Sequence, residues 1–183
     1  NSKIISTTLD PFQETGGLAD LNGNLGSAVM KVSAVEISRR KITAPVRVFN
    51  DQESVLKAFR DGEFINDVII AVRYQGPRAN GMPELHNLTP CMSVLQTRGL
   101  NVALITDGRM SGASGKVPAA IHMSPEALDE GPIAYLQDGD IVTVNALNGT
   151  IDVDNNKIFD RKVNHPDLMN NSFGVGRELF DIF

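Results

Sequence analysis

The run Thr106-Asp107-Gly108-Arg109-Met110-Ser111-Gly112-Ala113-Ser114-Gly115-Lys116 gathers two cations, two serine hydroxyls and three glycines directly after the apolar segment at residues 102–105. In open α/β sheets the crevice beyond the carboxyl ends of strands is the usual ligand site. Glycines there let the backbone turn sharply and approach a ligand closely. The residue types suit a bound carboxylate or phosphate: Arg109 through a bidentate fork, Lys116 as a point charge, with Gly112 and Ser114 beside them. A nucleotide phosphate loop is the obvious rival. The run departs from that pattern, because Met110 stands where its first glycine belongs and Val117 where its final Ser/Thr belongs. The same composition also suits a Gly/Ser-rich surface turn with incidental charges.

A second run, residues 74–86, follows another wholly apolar segment at 68–72. If the two strands are parallel, both runs leave the sheet at one edge. Pro83 is expected to open a helix whose apolar positions Leu85, Leu88, Met92 and Leu95 recur at helical spacing up to Arg98-Gly99, with Pro90 as a point of kinking. Glu84 then falls in the first turn. It is either good helix-start chemistry or an oxygen ligand for a hard cation such as Mg²⁺. His86, His122 and His165 lack metal-ligand spacing, and Cys91 reads as a small core residue of that helix.

The elements that must hold these runs alternate along the chain. Strands are expected at residues 28–35, 44–49, 68–72 and 102–105, and at 141–146 joined through Asn148-Gly149 to 150–153 as a hairpin. Asn50 and Glu53 form a capping-box pattern ahead of Val55, Leu56 and Phe59, with Gly62 as the stop. Ser124-Pro125-Glu126 marks a further helix start, and residues 173–183 read as an amphipathic helix. Residues 1–26 read as an irregular lead-in. The expected fold class is mixed α/β: a partly parallel sheet, a helix layer and additional antiparallel strands.

At 183 residues the chain suits one domain. A net charge of -5 argues against non-specific nucleic-acid binding. No apolar run reaches the ~20 residues of a membrane span, nothing resembles a signal peptide, and the expected location is cytoplasmic. One cysteine excludes an intrachain disulfide and cannot hold an iron–sulfur cluster. The start without Met reads as a piece of something longer.

Residues 107–122, from Asp107-Gly108-Arg109 to Ala120-Ile121-His122, resemble the signature of the dihydroxy-acid/6-phosphogluconate dehydratase family. So do Gly76-Pro77 with Gly81-Met82-Pro83-Glu84-Leu85, Pro11-Phe12-Gln13-Glu14-Thr15-Gly16-Gly17-Leu18, Gly23-Asn24-Leu25-Gly26 and Gly176-Arg177-Glu178-Leu179-Phe180. Ser111-Gly112-Ala113-Ser114-Gly115-Lys116 and Arg78-Ala79-Asn80-Gly81 look more like the 6-phosphogluconate branch than the amino-acid-biosynthesis branch. The resemblance implies a swivelling β/β/α domain at the carboxyl end of a homodimeric hydro-lyase. Such enzymes convert 2,3-dihydroxy acids to 2-keto-3-deoxy acids, here 6-phosphogluconate in the Entner–Doudoroff pathway, with an iron–sulfur cluster and Mg²⁺. The cluster ligands belong to an N-terminal domain outside this chain, so the chain alone is expected to be inactive. By resemblance Ser111 is the base. Its hydroxyl needs nearby cations or metal to be acidic enough. Arg109 and Lys116 serve either that end or the grip on substrate anions. A related dihydroxy-acid or sugar-acid dehydratase, or a docking module without chemistry of its own, are the alternatives.

Overall fold

A computed structural model describes residues 4–12, 16–111, 116–171 and 173–174. Eight strands follow in chain order: β1 (Leu18–Gly23), β2 (Gly26–Lys31), β3 (Lys41–Phe49), β4 (Val68–Val72), β5 (Val102–Thr106), β6 (Ala119–Ser124), β7 (Ile141–Asn145) and β8 (Thr150–Val153). Helix α1 (Gln52–Arg60) joins β3 to β4, and α2 (Pro77–Asn80) and α3 (Leu88–Thr97) join β4 to β5. Strands β3, β4, β5 and β6 are mutually parallel, while β1–β2, β2–β6, β3–β7 and β7–β8 are antiparallel. The sheet closes into a barrel in the order β1-β2-β6-β5-β4-β3-β7-β8. The expected mixed α/β class, with a partly parallel sheet, a helix layer and added antiparallel strands, is the one observed.

The central strands are apolar on both faces because each face meets a different core. Ile69 and Ala71 of β4 and Ala103 and Ile105 of β5 point into the barrel, with Ala44, Val46, Ala120 and Met30. Val68, Ile70, Val72, Val102 and Leu104 point outward and are covered by Val55 and Ala58 of α1 and Leu88, Met92 and Leu95 of α3. A strand between two layers reads as a continuous apolar run for this reason. The hairpin expected from Asn148-Gly149 is present, with Gly149 at φ +69°.

Several expectations need correction. The lead-in at 1–26 contains β1 and the first residue of β2. Only Leu21 of β1 is buried, so this strand leaves no alternation to read. The strand expected at 28–35 ends at Lys31; Val32 and Val35 stay buried in a turn whose carbonyls accept from the Arg40 guanidinium. The capping residue of α1 is Asp51, which accepts from the N–H and hydroxyl of Ser54, and Glu53 pairs with Arg60 instead. Strand β6 was not expected, and Ser124-Pro125-Glu126 leads only into a 3₁₀ turn at Ala127–Asp129.

The correction with most consequence concerns residues 83–87. No helix starts at Pro83, because α3 begins at Leu88. Residues 84–85 are drawn into a parallel bridge with Arg109, the Leu85 N–H donating to the Arg109 carbonyl at 3.1 Å. Pro90 is therefore in the first turn of α3, where its missing N–H removes no bond, and it needs no kink. The helix expected at 173–183 lies almost wholly outside the described residues. Among the described residues no helix is long and apolar enough to cross a membrane.

Candidate active site at the carboxyl rim of the parallel strands

Strands β4 and β5 run parallel with Val72 opposite Thr106, so the two chemistry-bearing runs do leave at one edge. Their approach is locked by residues just past the strand ends. Asp107 is 1% exposed. One of its carboxylate oxygens accepts from the backbone N–H of Tyr74 (3.1 Å) and Ala127 (2.9 Å), the other from that of Gln75 (2.9 Å). Burial pushes this carboxyl up to about 6, and the nearby Glu126 carboxylate adds in the same direction; the three N–H donors oppose both. Gly108 lies so close to the other loop that a Cβ there would stand 2.6 Å from the Gln75 Cβ. Gln75 is itself buried, donating from its amide to the Asn50 carbonyl (2.7 Å) and accepting from Asn80 (3.0 Å).

The outer part of the rim is more open. Arg109 donates from Nε to the Met82 carbonyl (2.7 Å) and pairs with Glu84 at 3.5 Å. Glu84 Oε1 also accepts from the Ser111 backbone N–H at 2.5 Å. The three expected residues Glu84, Arg109 and Ser111 therefore meet in one small group, with 51% of the Arg109 side chain and 29% of the Glu84 side chain exposed. Met110, between Arg109 and Ser111, is turned inward; its sulfur accepts from the Thr89 hydroxyl at the start of α3. The group brings a serine, a guanidinium and a part-exposed carboxylate together on one side of the rim.

The remaining candidates are placed otherwise. Gly112 and Ser114 lie outside the described residues. Lys116 lines a cleft of about 430 Å³ with Glu36, Arg39, Ser93, Gln96 and Thr97, and none of Glu84, Arg109 and Ser111 lines it. Asp107, Gln75 and Glu126 organise the rim, and spacing did not single them out. Their partners are remote in sequence, and only the Gly76 and Gly108 close approaches hint at them: a Cβ on Gly76 would lie 2.3 Å from a Glu126 carboxylate oxygen.

Among the described residues no group of three or more His, Cys, Asp or Glu side chains could hold a metal ion. The one cysteine of the chain is buried in α3, its Sγ donating to the Leu88 carbonyl, and burial pushes the thiol up. An iron–sulfur cluster does not fit such residues. A hard cation takes oxygen donors, and the part-exposed Glu84 carboxylate is of that kind, although its oxygens are engaged by Arg109 and the Ser111 N–H.

The sequence pattern described as "Dihydroxy-acid/6-phosphogluconate dehydratase C-terminal" matches residues 3–180. The chain belongs to that dehydratase family. A phosphogluconate dehydratase of Rhizobium meliloti is 53% identical over 183 residues, covering 99% of this chain and 30% of the relative. That of Pseudomonas aeruginosa is 56% identical over 172 residues, covering 93% and 28%. A dihydroxy-acid dehydratase of Sulfurisphaera tokodaii is 42% identical over 154 residues, covering 82% and 27%. The chain thus spans about three-tenths of the length of these relatives.

Proposed function

We propose that this chain is the carboxy-terminal part of a phosphogluconate dehydratase, a hydro-lyase that removes water from 6-phosphogluconate to give 2-keto-3-deoxy-6-phosphogluconate. The observation that carries the reading is the contact between the two family loops, where Ser111, Arg109 and Glu84 come together at one rim. The higher identity to relatives named phosphogluconate dehydratase favours the sugar-acid branch over the dihydroxy-acid branch.

Dehydration takes a proton from C2, alpha to the carboxylate, and expels hydroxide from C3. In this reading the Ser111 oxygen takes the C2 proton. Arg109 lies two residues away and half exposed, so its charge favours an alkoxide there or grips the substrate carboxylate. Lys116, on its own cleft, suits a more distant anionic group of the substrate. Glu84 would be the ligand for Mg²⁺, which when bound stabilises negative charge developing on the carboxylate side. The iron–sulfur cluster belongs to the N-terminal part of the enzyme, which leaves the isolated chain without turnover. A cytoplasmic homodimer is the proposed form of the full-length enzyme.

Ser111→Ala in the full-length enzyme tests the reading. A positioned base contributes roughly 10²–10⁴-fold, so turnover should fall within that range. A loss below tenfold removes Ser111 from the role. Mixing the chain with the separately produced N-terminal part should restore dehydration; continued silence would favour a docking module.

A further inference from the structure

We infer that Asp107 is a positioning residue for this reaction, its carboxylate holding the Glu84 and Ser111 loops at one fixed separation. The inference rests on the dehydratase reading and adds to it a residue that touches no substrate. Of the four loops at the carboxyl ends of the parallel strands, the three after β4, β5 and β6 are tied together by a single side chain. Asp107 itself belongs to the loop after β5; it accepts from Tyr74 and Gln75 after β4 and from Ala127 after β6. The next residue, Gly108, packs directly on Gln75. Arg109 and Ser111 follow two and four residues on, while the Gln75 side leads through α2 to Glu84.

A second carboxylate extends the tie. Glu126, adjacent to Ala127, accepts from the N–H groups of Arg78 (3.0 Å) and Ala79 (3.1 Å) at the start of α2. The chain from Tyr74 to Ala79 is therefore anchored at four backbone N–H groups by two buried acids. With Asp107 ionised, every oxygen lone pair engaged here faces a donor. An asparagine has nearly the same shape but must turn its NH₂ toward the Gln75 N–H, or else toward both Tyr74 and Ala127. Donor would then face donor, and the loops would part. A displacement of about 1 Å at a reacting centre costs on the order of 10²-fold in rate.

The test uses the full-length enzyme and compares Asp107→Asn, Gly108→Ala and Ser111→Ala with wild type at neutral pH. Turnover is normalised to the folded fraction read by circular dichroism. Gly108→Ala disturbs the same loop contact by crowding Gln75 and leaves the carboxylate intact, so it decides the matter if Asp107→Asn does not fold. The expected result is a fall in kcat of at least about tenfold per folded enzyme with KM within threefold, because positioning fails after substrate has bound. Normalised kcat within threefold of wild type in the folded variants, while Ser111→Ala is inactive, overturns the positioning role. Full turnover by Ser111→Ala would instead overturn the dehydratase reading of the rim, whatever the other two variants do.

Discussion

Glu84 and Asp107 stand on neighbouring loops of one rim, yet water reaches the first and not the second. The Glu84 side chain is 29% exposed and shares its oxygens between the Arg109 guanidinium and the Ser111 N–H. Asp107 is closed off, and its oxygens are taken up by backbone donors from two other segments. Access separates the two acids: in the proposed reading Glu84 would exchange partners when a cation or substrate arrives, whereas Asp107 could not without releasing the backbone.

The contrast can be broken at several points. Asp107→Ala removes the acceptor from three N–H groups, and each buried unsatisfied donor costs about 1–3 kcal/mol. The urea midpoint of the full-length protein should then fall by an amount equivalent to roughly 3 kcal/mol or more. Glu84→Gln should leave that midpoint nearly unchanged, since a part-exposed ion pair is worth at most about 1 kcal/mol. It should weaken the response to Mg²⁺ and lower turnover by roughly 10–100-fold, the range seen when groups around a metal are altered. Unaltered Mg²⁺ activation in that variant would leave Glu84 as a purely structural contact.

A pH series separates the two acids further. The folded-state carboxyl of Asp107 sits at about 6, above its ordinary 3.8, so the folded protein binds the proton more tightly than the unfolded one. The part of the stability that comes from proton uptake by Asp107 is complete below about 4 and is lost as pH rises from there to about 6, while its bonds from the three N–H groups persist. The stability gap between wild type and Asp107→Asn should accordingly narrow between pH 4 and 6. A gap that widens with rising pH would mean that the three N–H donors outweigh burial. The smallest effect on turnover is expected at the β1–β8 join: Asn24→Ala should cost about 1–2 kcal/mol of stability for its lost backbone bonds and leave turnover nearly unchanged.

Much of the scaffold was legible because its signals are local. Residues 68–72 and 102–105 are unbroken apolar runs, and a strand packed on two sides produces nothing else. The Asn148-Gly149 hairpin follows from the positive φ that its turn requires. Strand β6 was hidden because Ala119-Ala120-Ile121-His122 has little β-propensity and owes its place to pairing with β5 and β2. The false helix start at Pro83-Glu84 had correct local chemistry, and the bridge to Arg109 overrode it. The same limit applied to the site. Ser111, Arg109 and Glu84 could be picked out by type, whereas Asp107 depends on donors 20 to 33 residues away in the chain.

The ring of strands is completed where β1 meets β8, and there the ladder has one register pair, Asn22 opposite Thr150. Much of the join is made by one amide side chain: Asn24 receives the Val153 N–H and donates to the Val153 carbonyl and to Asn156. A hoop fastened this way has a buckle. Two backbone bonds, from the Asn22 N–H to the Gly149 carbonyl and from the Leu25 N–H to the Ile151 carbonyl, complete the clasp, so closure on this side depends on a few contacts, whereas β3–β4 and β4–β5 share four and five register pairs.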